Sequence, residues 1–192
     1  TAGDVFLSDT GGLSITGISN TGGAISVATT GDLSVDGSVT SGTFATSLAA
    51  TGGSITQTGG TVTASALGLA AANGITLDSL AVDSVNAANS NGNVTLVDAG
   101  GLSVTGISNP NGAISVATTG NLSLDGNVTS GANATSLSAT GGAISQTAGS
   151  LVAGALDLSA ATGITLGNLA VASVQATNTT SGAVTLSDAD GL

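Results

Sequence analysis

The stretch GLSITGISNTGGAISVATTGDLSVDGSVTSG at residues 12–42 returns almost unchanged as GLSVTGISNPNGAISVATTGNLSLDGNVTSG at residues 101–131. Aligning residues 3–89 with residues 92–178 at a constant offset of 89 gives 59 identities in 87 positions. One residue is then inserted, and GAVTLSDADGL at residues 182–192 repeats the pattern again. Self-similarity at a fixed long period indicates a repeat architecture rather than an ordinary globular domain.

The duplication divides the chain into copies of one repeat. Residues 1–2 end a preceding copy, residues 3–91 form copy 1, residues 92–181 form copy 2, and residues 182–192 start copy 3. Because the sequence stops within the third copy, it indicates a window on a longer array. We therefore expect one continuous structure whose partners are further copies of the same repeat, in the same longer chain or stacked end to end.

Composition narrows the classes of function. The 192 residues include 11 acidic residues and no Lys, Arg, His or Cys, which gives a net charge of −11. Without cations the chain lacks the footprint that nucleic acids and anionic membranes require, and without Cys it has no disulfides or thiolate metal sites. No apolar run approaches the ~18 residues of a membrane helix. We therefore expect no nucleic-acid partner and no membrane insertion.

Glycines introduce short segments in which apolar and polar residues alternate. Side chains two residues apart share one face of a strand, so the apolar members of each segment are predicted to point inward and Ser, Thr and Asp outward. The pairs that carry this pattern are Leu13 and Ile15, Ile25 and Val27, Leu33 and Val35, Ile75 and Leu77, and Leu80 and Val82.

Three other architectures compete with stacked strands. Disorder is disfavoured because Val, Ile and Thr are abundant and alternate. A helix at residues 65–74 and 154–163, which are rich in Ala, is disfavoured because their Leu residues lie two apart among glycines and β-branched residues. An antiparallel sandwich would also use short strands and Gly turns. A long identical period favours units that each meet their neighbour in the same way, as in a solenoid.

The sequence therefore predicts an all-β chain folded as a parallel β-helix, a solenoid built from ~89-residue repeats. A coil of about 22 residues with strands on three faces would give about four coils per repeat, each rising ~4.8 Å. The whole chain would then form a rod of eight or nine coils. Gly and Asn supply the positive φ values that corners need, and Pro110 in NPNG at residues 109–112 is placed in a turn.

A family resemblance accompanies this pattern. GGSITQTGGTVTASALGLAAANGITL at residues 52–77 and SGAVTLSDADGL at residues 181–192 resemble the central repeats of filamentous haemagglutinin-like bacterial exoproteins. These large surface adhesins are exported by two-partner secretion or as autotransporters. NPNG is similar to a tetrapeptide in the secretion domain of that family, although the other copy has NTGG at residues 20–23. The resemblance implies a right-handed parallel β-helix, an extracellular location at the bacterial cell surface, and a scaffold or adhesive role.

Catalytic chemistry has few residues to use. General acid/base and nucleophilic mechanisms need His, Lys or a carboxylate pair, and only carboxylates are present. Comparing the copies shows which carboxylates are retained, because an aspartate that every repeat needs for function would recur at the same position. Asp9 recurs as Asp98 and Asp188, and Asp36 recurs as Asp125. The aspartates that change are Asp4 to Asn93, Asp32 to Asn121, Asp78 to Gly167 and Asp83 to Ala172.

We therefore predict no catalytic, cofactor-binding or metal-binding residue, and assign the aspartates to turns and local backbone contacts. The alternative is a carbohydrate-binding or polysaccharide-hydrolysing β-helix that uses Asp residues, including the DAD sequence at residues 188–190. TTGDLSVDG at residues 29–37 does not repeat with the nine-residue period of calcium-binding β-rolls, so no specific calcium site is expected. An ice-binding surface needs regular rows of Thr-X-Thr, but TVT at residues 61–63 becomes SLV at residues 150–152, so none is expected. Asn-X-Ser/Thr sequons, such as those at Asn93, Asn121, Asn127 and Asn133, are expected by chance in a Ser/Thr-rich chain.

The function expected from the sequence is structural. The chain is predicted to be a stiff, acidic module in the shaft of a secreted bacterial adhesin or extracellular filament, and not an enzyme. Trypsin has no cleavage site in it, because Lys and Arg are absent. Besides its own copies, the expected partner is a host or neighbouring cell surface or matrix.

Overall fold

The computed structural model describes residues 3–188. They form twenty β-strands, and no helix occurs among them. In chain order the strands are β1 Val5–Asp9, β2 Leu13–Ile15, β3 Ile18–Ser19, β4 Ile25–Thr29, β5 Leu33–Val35, β6 Val39–Thr40, β7 Ala45–Ala50, β8 Ile55–Gln57, β9 Val62–Ala71, β10 Ile75–Asn89, β11 Val94–Asp98, β12 Leu102–Ser108, β13 Ile114–Thr118, β14 Leu122–Leu124, β15 Val128–Thr129, β16 Ala134–Ala139, β17 Ile144–Gln146, β18 Leu151–Ala160, β19 Ile164–Asn178 and β20 Val184–Asp188.

The strands pair in parallel with strands about one coil later. β1 pairs with β4 in the register Val5↔Ile25, and partners elsewhere lie between 18 residues apart (Val62↔Leu80) and 23 apart (Val39↔Val62). A chain that returns to the same direction after each circuit is a parallel β-solenoid. The predicted fold is thus confirmed, and the strands predicted within residues 65–74 and 154–163 lie in β9 and β18.

The first two circuits of copy 1 each consist of one strand of five residues and two shorter ones, as in β4, β5 and β6. In later circuits these segments merge into longer strands such as β9 and β10. The alternation seen in the sequence sets the orientation of the side chains. Ile25 and Val27 are buried, whereas Ser26 and Ala28, which alternate with them, are partly exposed. Turns separate the sides, and NPNG at residues 109–112 is such a turn, as predicted.

The core consists of aliphatic side chains stacked along the axis. Leu33, Ile55, Ile75 and Val94 lie directly above one another and are each at most 1 % exposed. Stacked strands lie ~4.8 Å apart, so each side chain contacts the one above and the one below. Full burial of one such side chain stabilises the fold by about 1.5–3 kcal/mol. The buried aliphatic residues form a single cluster that runs through both copies.

The two copies face different sides of the solenoid. Val94, the counterpart of Val5, stacks between Ile75 and Ile114 and so stands outside the column that Val5 begins. Val94 follows Val85 by nine residues and precedes Val104 by ten, which places it about midway round the fifth coil. The column of Val5 runs through Val5, Ile25, Thr46, Leu67, Val85 and Val104.

One copy therefore spans about four and a half coils, compared with the approximate four expected from the sequence. The difference arises because most coils are shorter than 22 residues, and those around β10 contain only 18 or 19. β20, the first strand of copy 3, stacks on the first part of β19. The column below Thr185 of β20 starts with Thr165 of β19. It continues through Ser145, Ser123 and Ser103 to Ser84 near the end of β10, which lies on the same side of the solenoid as β1. Two copies thus complete about nine coils and restore the starting orientation.

Candidate functional site at the copy junction

Two of the aspartates that change between copies, Asp4 and Asp32, serve as acceptors for backbone amides. Asp32 Oδ1 accepts a hydrogen bond from the Ser54 amide at 2.8 Å, and Asn121 Oδ1 accepts one from the Ala143 amide at 2.9 Å. Asparagine offers the same side-chain carbonyl oxygen as aspartate, so the exchange keeps the contact and drops the charge. Asp4 and Asn93 make the equivalent contacts with the amides of Ala24 and Ala113, at 2.9 and 3.1 Å.

Asp36, which persists, has a different role. Its carboxylate accepts hydrogen bonds from the hydroxyls of Ser14, Ser34 and Thr58. Ser14 and Thr58 lie 22 residues before and after Asp36, so one carboxylate joins three successive coils. The Ser14 hydroxyl, followed by those of Ser34 and Thr58, lowers the pKa of Asp36 from 3.8 to about 2.

Asp125 repeats this arrangement in copy 2. It accepts hydrogen bonds from the hydroxyls of Ser103, Ser123 and Thr147, which lower its pKa in the same way. We call each set of one carboxylate and three hydroxyls a hydroxyl clamp. Only an ionised carboxylate accepts three such bonds without donating one, which gives a structural reason for the persistence of aspartate at this position.

The clamps make stability depend on pH. Because the folded pKa of Asp36 lies below its ordinary value of 3.8, the unfolded chain binds more protons in that interval and stability falls as the pH falls. The contribution is complete above about pH 4 and is lost as the pH passes through about 2. We expect the urea midpoint of the wild-type chain to fall between about pH 5 and about pH 2, and that of Asp36→Ala/Asp125→Ala to fall less.

The control for this experiment is Asp157→Ala. The Asp157 side chain is exposed and makes no hydrogen bond within residues 3–188, so its removal should preserve the wild-type dependence on pH. Equal dependence in all three proteins would contradict the assignment of the clamps.

The other persistent aspartate stabilises the junction between copies. Asp98 is 1 % exposed, and its two oxygens accept hydrogen bonds from the amides of Val82 at 3.0 Å and Gly100 at 2.8 Å. Gly100 belongs to the turn that follows Asp98, whereas Val82 belongs to the preceding copy. In copy 1, Asp9 makes the turn contact with the Gly11 amide at 2.7 Å. The Asp98 carboxylate therefore stabilises the turn that follows it and also binds that turn to copy 1.

Two buried asparagines complete the junction. Asn89 ends strand β10 near the end of copy 1 and is 4 % exposed, and Asn109 in copy 2 is fully buried. Asn89 Nδ2 donates to Asn109 Oδ1 at 2.9 Å, and Asn89 Oδ1 accepts from the Gly74 amide at 2.9 Å. Asn109 Nδ2 in turn donates to the Ala113 carbonyl at 2.9 Å. A buried amide is costly to leave unpaired, so these bonds favour one register between the copies.

The same asparagines recur with the period of the repeat. Asn20 is the counterpart of Asn109 and donates to the Ala24 carbonyl at 3.1 Å. Asn178 is the counterpart of Asn89, and its Oδ1 accepts from the Gly163 amide at 3.0 Å. Their retention in both copies is visible in the sequence, but nothing local distinguishes them from the many asparagines in turns. Sequence reasoning therefore missed the junction, and comparing retained polar positions between copies could have found it.

The polar groups at the junction hold the two copies together and do not form a reaction site. A shallow hollow on the outer surface beside it is lined by small and amide side chains, including Ala70, Ala88 and Asn111, and has no titratable group. Within residues 3–188, no three His, Cys, Asp or Glu side chains come together as a metal site would require. Of the predicted DAD sequence, Asp190 lies outside the described residues.

The described chain belongs to the class of parallel β-solenoids with a tandem repeat. Comparison with protein-family models, with curated proteins and with solved structures gave no match. No helix in residues 3–188 has the length and apolar character needed to cross a membrane.

Proposed function

We propose that this chain forms part of the stiff shaft of a secreted bacterial adhesin or cell-surface filament and performs no catalysis. A β-solenoid is compatible with a structural repeat module, because each copy adds length without changing the cross-section. The observation that carries the proposal is the junction, where Asp98, Asn89 and Asn109 fix one copy on the next. Residues of these types recur in each copy, so the same fastening serves an array of any number of copies.

The alternative, a polysaccharide-hydrolysing β-helix, fits the carboxylates less well. Asp36 and Asp125 are each occupied by three hydroxyls, and Asp98 is buried between two amides. A glycosidase needs one carboxylic acid with a raised pKa, whereas the pKa values of Asp32, Asp36 and Asp125 are all lowered by their hydrogen bonds. The persistent aspartates are thus engaged in structure.

The proposal places the chain outside the cell. Further copies of the repeat are its direct partners, and a host or neighbouring cell surface or matrix would be contacted by the assembled filament. A shaft at this place must resist proteases, and the absence of Lys and Arg leaves trypsin-like enzymes no site in this stretch. Continuous parallel pairing also limits the local unfolding that proteolysis requires.

We expect chains that carry increasing numbers of copies to form straight rods in electron micrographs. Each added copy should lengthen the rod by about 22 Å, which is four and a half coils at ~4.8 Å per coil. Chains of alternating copies 1 and 2 match the natural order and provide the series. Particles that grow in width rather than in length would contradict the shaft, and release of new reducing ends from bacterial or host polysaccharides would favour the enzyme.

A further inference from the structure

Three Asn-Gly pairs lie above one another in a single corner of the solenoid. They precede strands that stack in the register Ile75↔Val94↔Ile114. In an Asn-Gly pair the following residue has no side chain, so its backbone nitrogen approaches the asparagine side chain with little hindrance. Asparagine is a chemically labile residue in proteins, and a following glycine leaves its side chain the least hindered. The pairs are Asn73–Gly74, Asn91–Gly92 and Asn111–Gly112.

The three backbone nitrogens differ in their surroundings. The Gly74 amide is buried and donates to Asn89 Oδ1 at 2.9 Å. The Gly112 amide is buried and donates to the Asn109 carbonyl at 3.3 Å. Gly92 is exposed, and its amide donates no hydrogen bond within residues 3–188. Asn91 is itself exposed, and its Nδ2 makes only a long contact of 3.4 Å with the Ala72 carbonyl.

We propose that Asn91 is a site of spontaneous modification, at which the folded chain converts asparagine to isoaspartate or aspartate. The Gly92 nitrogen attacks Cγ of Asn91, a new C–N bond closes a five-membered succinimide, and the side-chain nitrogen leaves as ammonia with the proton of the amide. Water then opens the ring at either carbonyl. The net reaction consumes one water and releases one ammonia, without any oxidant or reductant, and it adds one negative charge to the chain.

The modification would change the backbone that binds Asn89 at the copy junction. Asn89 Nδ2 donates to the carbonyls of Asn91 at 2.7 Å and of Gly92 at 3.1 Å. An isoaspartate inserts a methylene into the main chain between those two residues. Little space is available for it, because a Cβ built on Gly112 would lie only 1.8 Å from the Gly92 carbonyl oxygen. We therefore expect the modified turn to shift away from Asn89 and to weaken the junction.

The next junction provides a natural control. There the turn reads Ser181–Gly182, and Asn178 Nδ2 donates to the Ser181 and Gly182 carbonyls at 2.7 and 2.8 Å. This turn is one residue longer than the turn at Asn91, but the serine in it supports the same pair of carbonyl contacts. Serine has no side-chain amide to form a succinimide. The variant Asn91→Ser should keep the junction and abolish its modification.

The test is to incubate the folded full chain in mildly alkaline buffer, unfold it, and digest it with an endoprotease that cuts before Asp. The three pairs fall into separate fragments, residues 36–77, 83–97 and 98–124. Mass spectrometry measures isoaspartate in the intact fragments and aspartate in the two pieces that the protease produces at each newly formed aspartate. We expect residues 83–97 to convert about ten times faster than the other two fragments, a difference of about 1.4 kcal/mol in barrier. In urea the three rates should approach one another.

Two further results complete the test. Asn91→Ser should lose the conversion in residues 83–97, and its urea midpoint should stay constant during the incubation while that of the wild-type chain falls. The proposal is overturned if either other fragment converts as fast in the folded chain. It is also overturned if Asn91→Ser leaves the conversion of residues 83–97 unchanged, or if that fragment converts in urea but not in the folded chain.

Discussion

Replacing Gly126 by alanine should destabilise the solenoid by about 3 kcal/mol or more, at the upper end of what overpacking costs. A Cβ built on Gly126 lies 1.9 Å from the Thr105 carbonyl oxygen and 2.6 Å from the Thr105 carbonyl carbon, both in the coil beneath. Neither atom belongs to a flexible side chain, so relief requires the backbone of one coil to move. Gly37 stands at the same place in copy 1, with its Cβ position 1.9 Å from the Thr16 carbonyl oxygen.

The matched control is Gly167→Ala. Gly167 lies in β19 and is exposed, and a Cβ built on it meets no atom within 4 Å. Alanine in a strand costs less backbone entropy than glycine, so this variant should match or slightly exceed the stability of the wild-type chain. Urea unfolding followed by circular dichroism gives both values. A Gly126→Ala chain as stable as Gly167→Ala would mean that the coils are not packed as closely as described.

Asn109→Ala should cost about 2 kcal/mol, because it removes two buried hydrogen bonds at the junction, each worth about 1 kcal/mol. The Asn89 amide keeps its carbonyl acceptors in the turn, and the Ala113 carbonyl keeps the Val94 amide. The Asn89 amide loses the Asn109 Oδ1 acceptor, and the Ala113 carbonyl loses the donor Asn109 Nδ2. Asn109 is 0 % exposed, so water cannot replace either partner without opening the coil. Hydrogen exchange should show the largest loss of protection around the junction.

Asn20→Ala is the control for this variant. Asn20 holds the equivalent position in copy 1 and donates to the carbonyls of Gly3 and Ala24. It is only partly buried, so water can replace these partners, and no asparagine stacks against it within residues 3–188. We expect its loss to cost about 1 kcal/mol. The double variant Asn89→Ala/Asn109→Ala should cost less than the sum of its single variants, since both partners leave together. A loss of stability at Asn109 no larger than at Asn20 would contradict the claim that the buried asparagine pair stabilises the contact between the copies.

The fold was predictable because the decisive signals are local and are repeated. Alternation such as Ile25 and Val27 fixes which side chains face the core, and the long period requires that each copy meet its neighbour in one way. The same reasoning placed strands, not helices, in the Ala-rich segments. Where glycines flank short alternating stretches, propensity and pattern agree, and the structure follows both.

The half coil was not predictable from the period. Coil length varies between 18 and 23 residues, and a change of one or two residues per coil accumulates over four coils to half a circuit. Residues are gained or lost in the corners, which leaves the alternation within the strands unchanged. The alternation in the sequence therefore does not reveal the length of each coil. The hydroxyl clamps were missed for a related reason, because Ser14 and Thr58 reach Asp36 from coils 22 residues away.

The exchange of aspartate for asparagine between copies has a physical explanation in these contacts. Where one carbonyl oxygen receives one amide, as at Asp32, the charge is dispensable and Asn121 replaces it. Where a carboxylate uses both oxygens, as at Asp36 and Asp98, aspartate is retained in each copy. The retained Asp36, Asp98 and Asp125 thus each engage both carboxylate oxygens.

The most direct test of the continuous solenoid is the stacking of copy 2 on copy 1, measured with nitroxide spin labels on paired cysteines. The chain has no cysteine of its own, so labels at Thr76→Cys/Thr95→Cys report one contact alone. Those positions are register partners, about 4.8 Å apart, and should give a spectrum broadened by spin exchange. If a copy spanned four whole coils, Thr95 would instead stack on Gly68. Exchange broadening in Gly68→Cys/Thr95→Cys, and its absence in Thr76→Cys/Thr95→Cys, would contradict the half-coil junction.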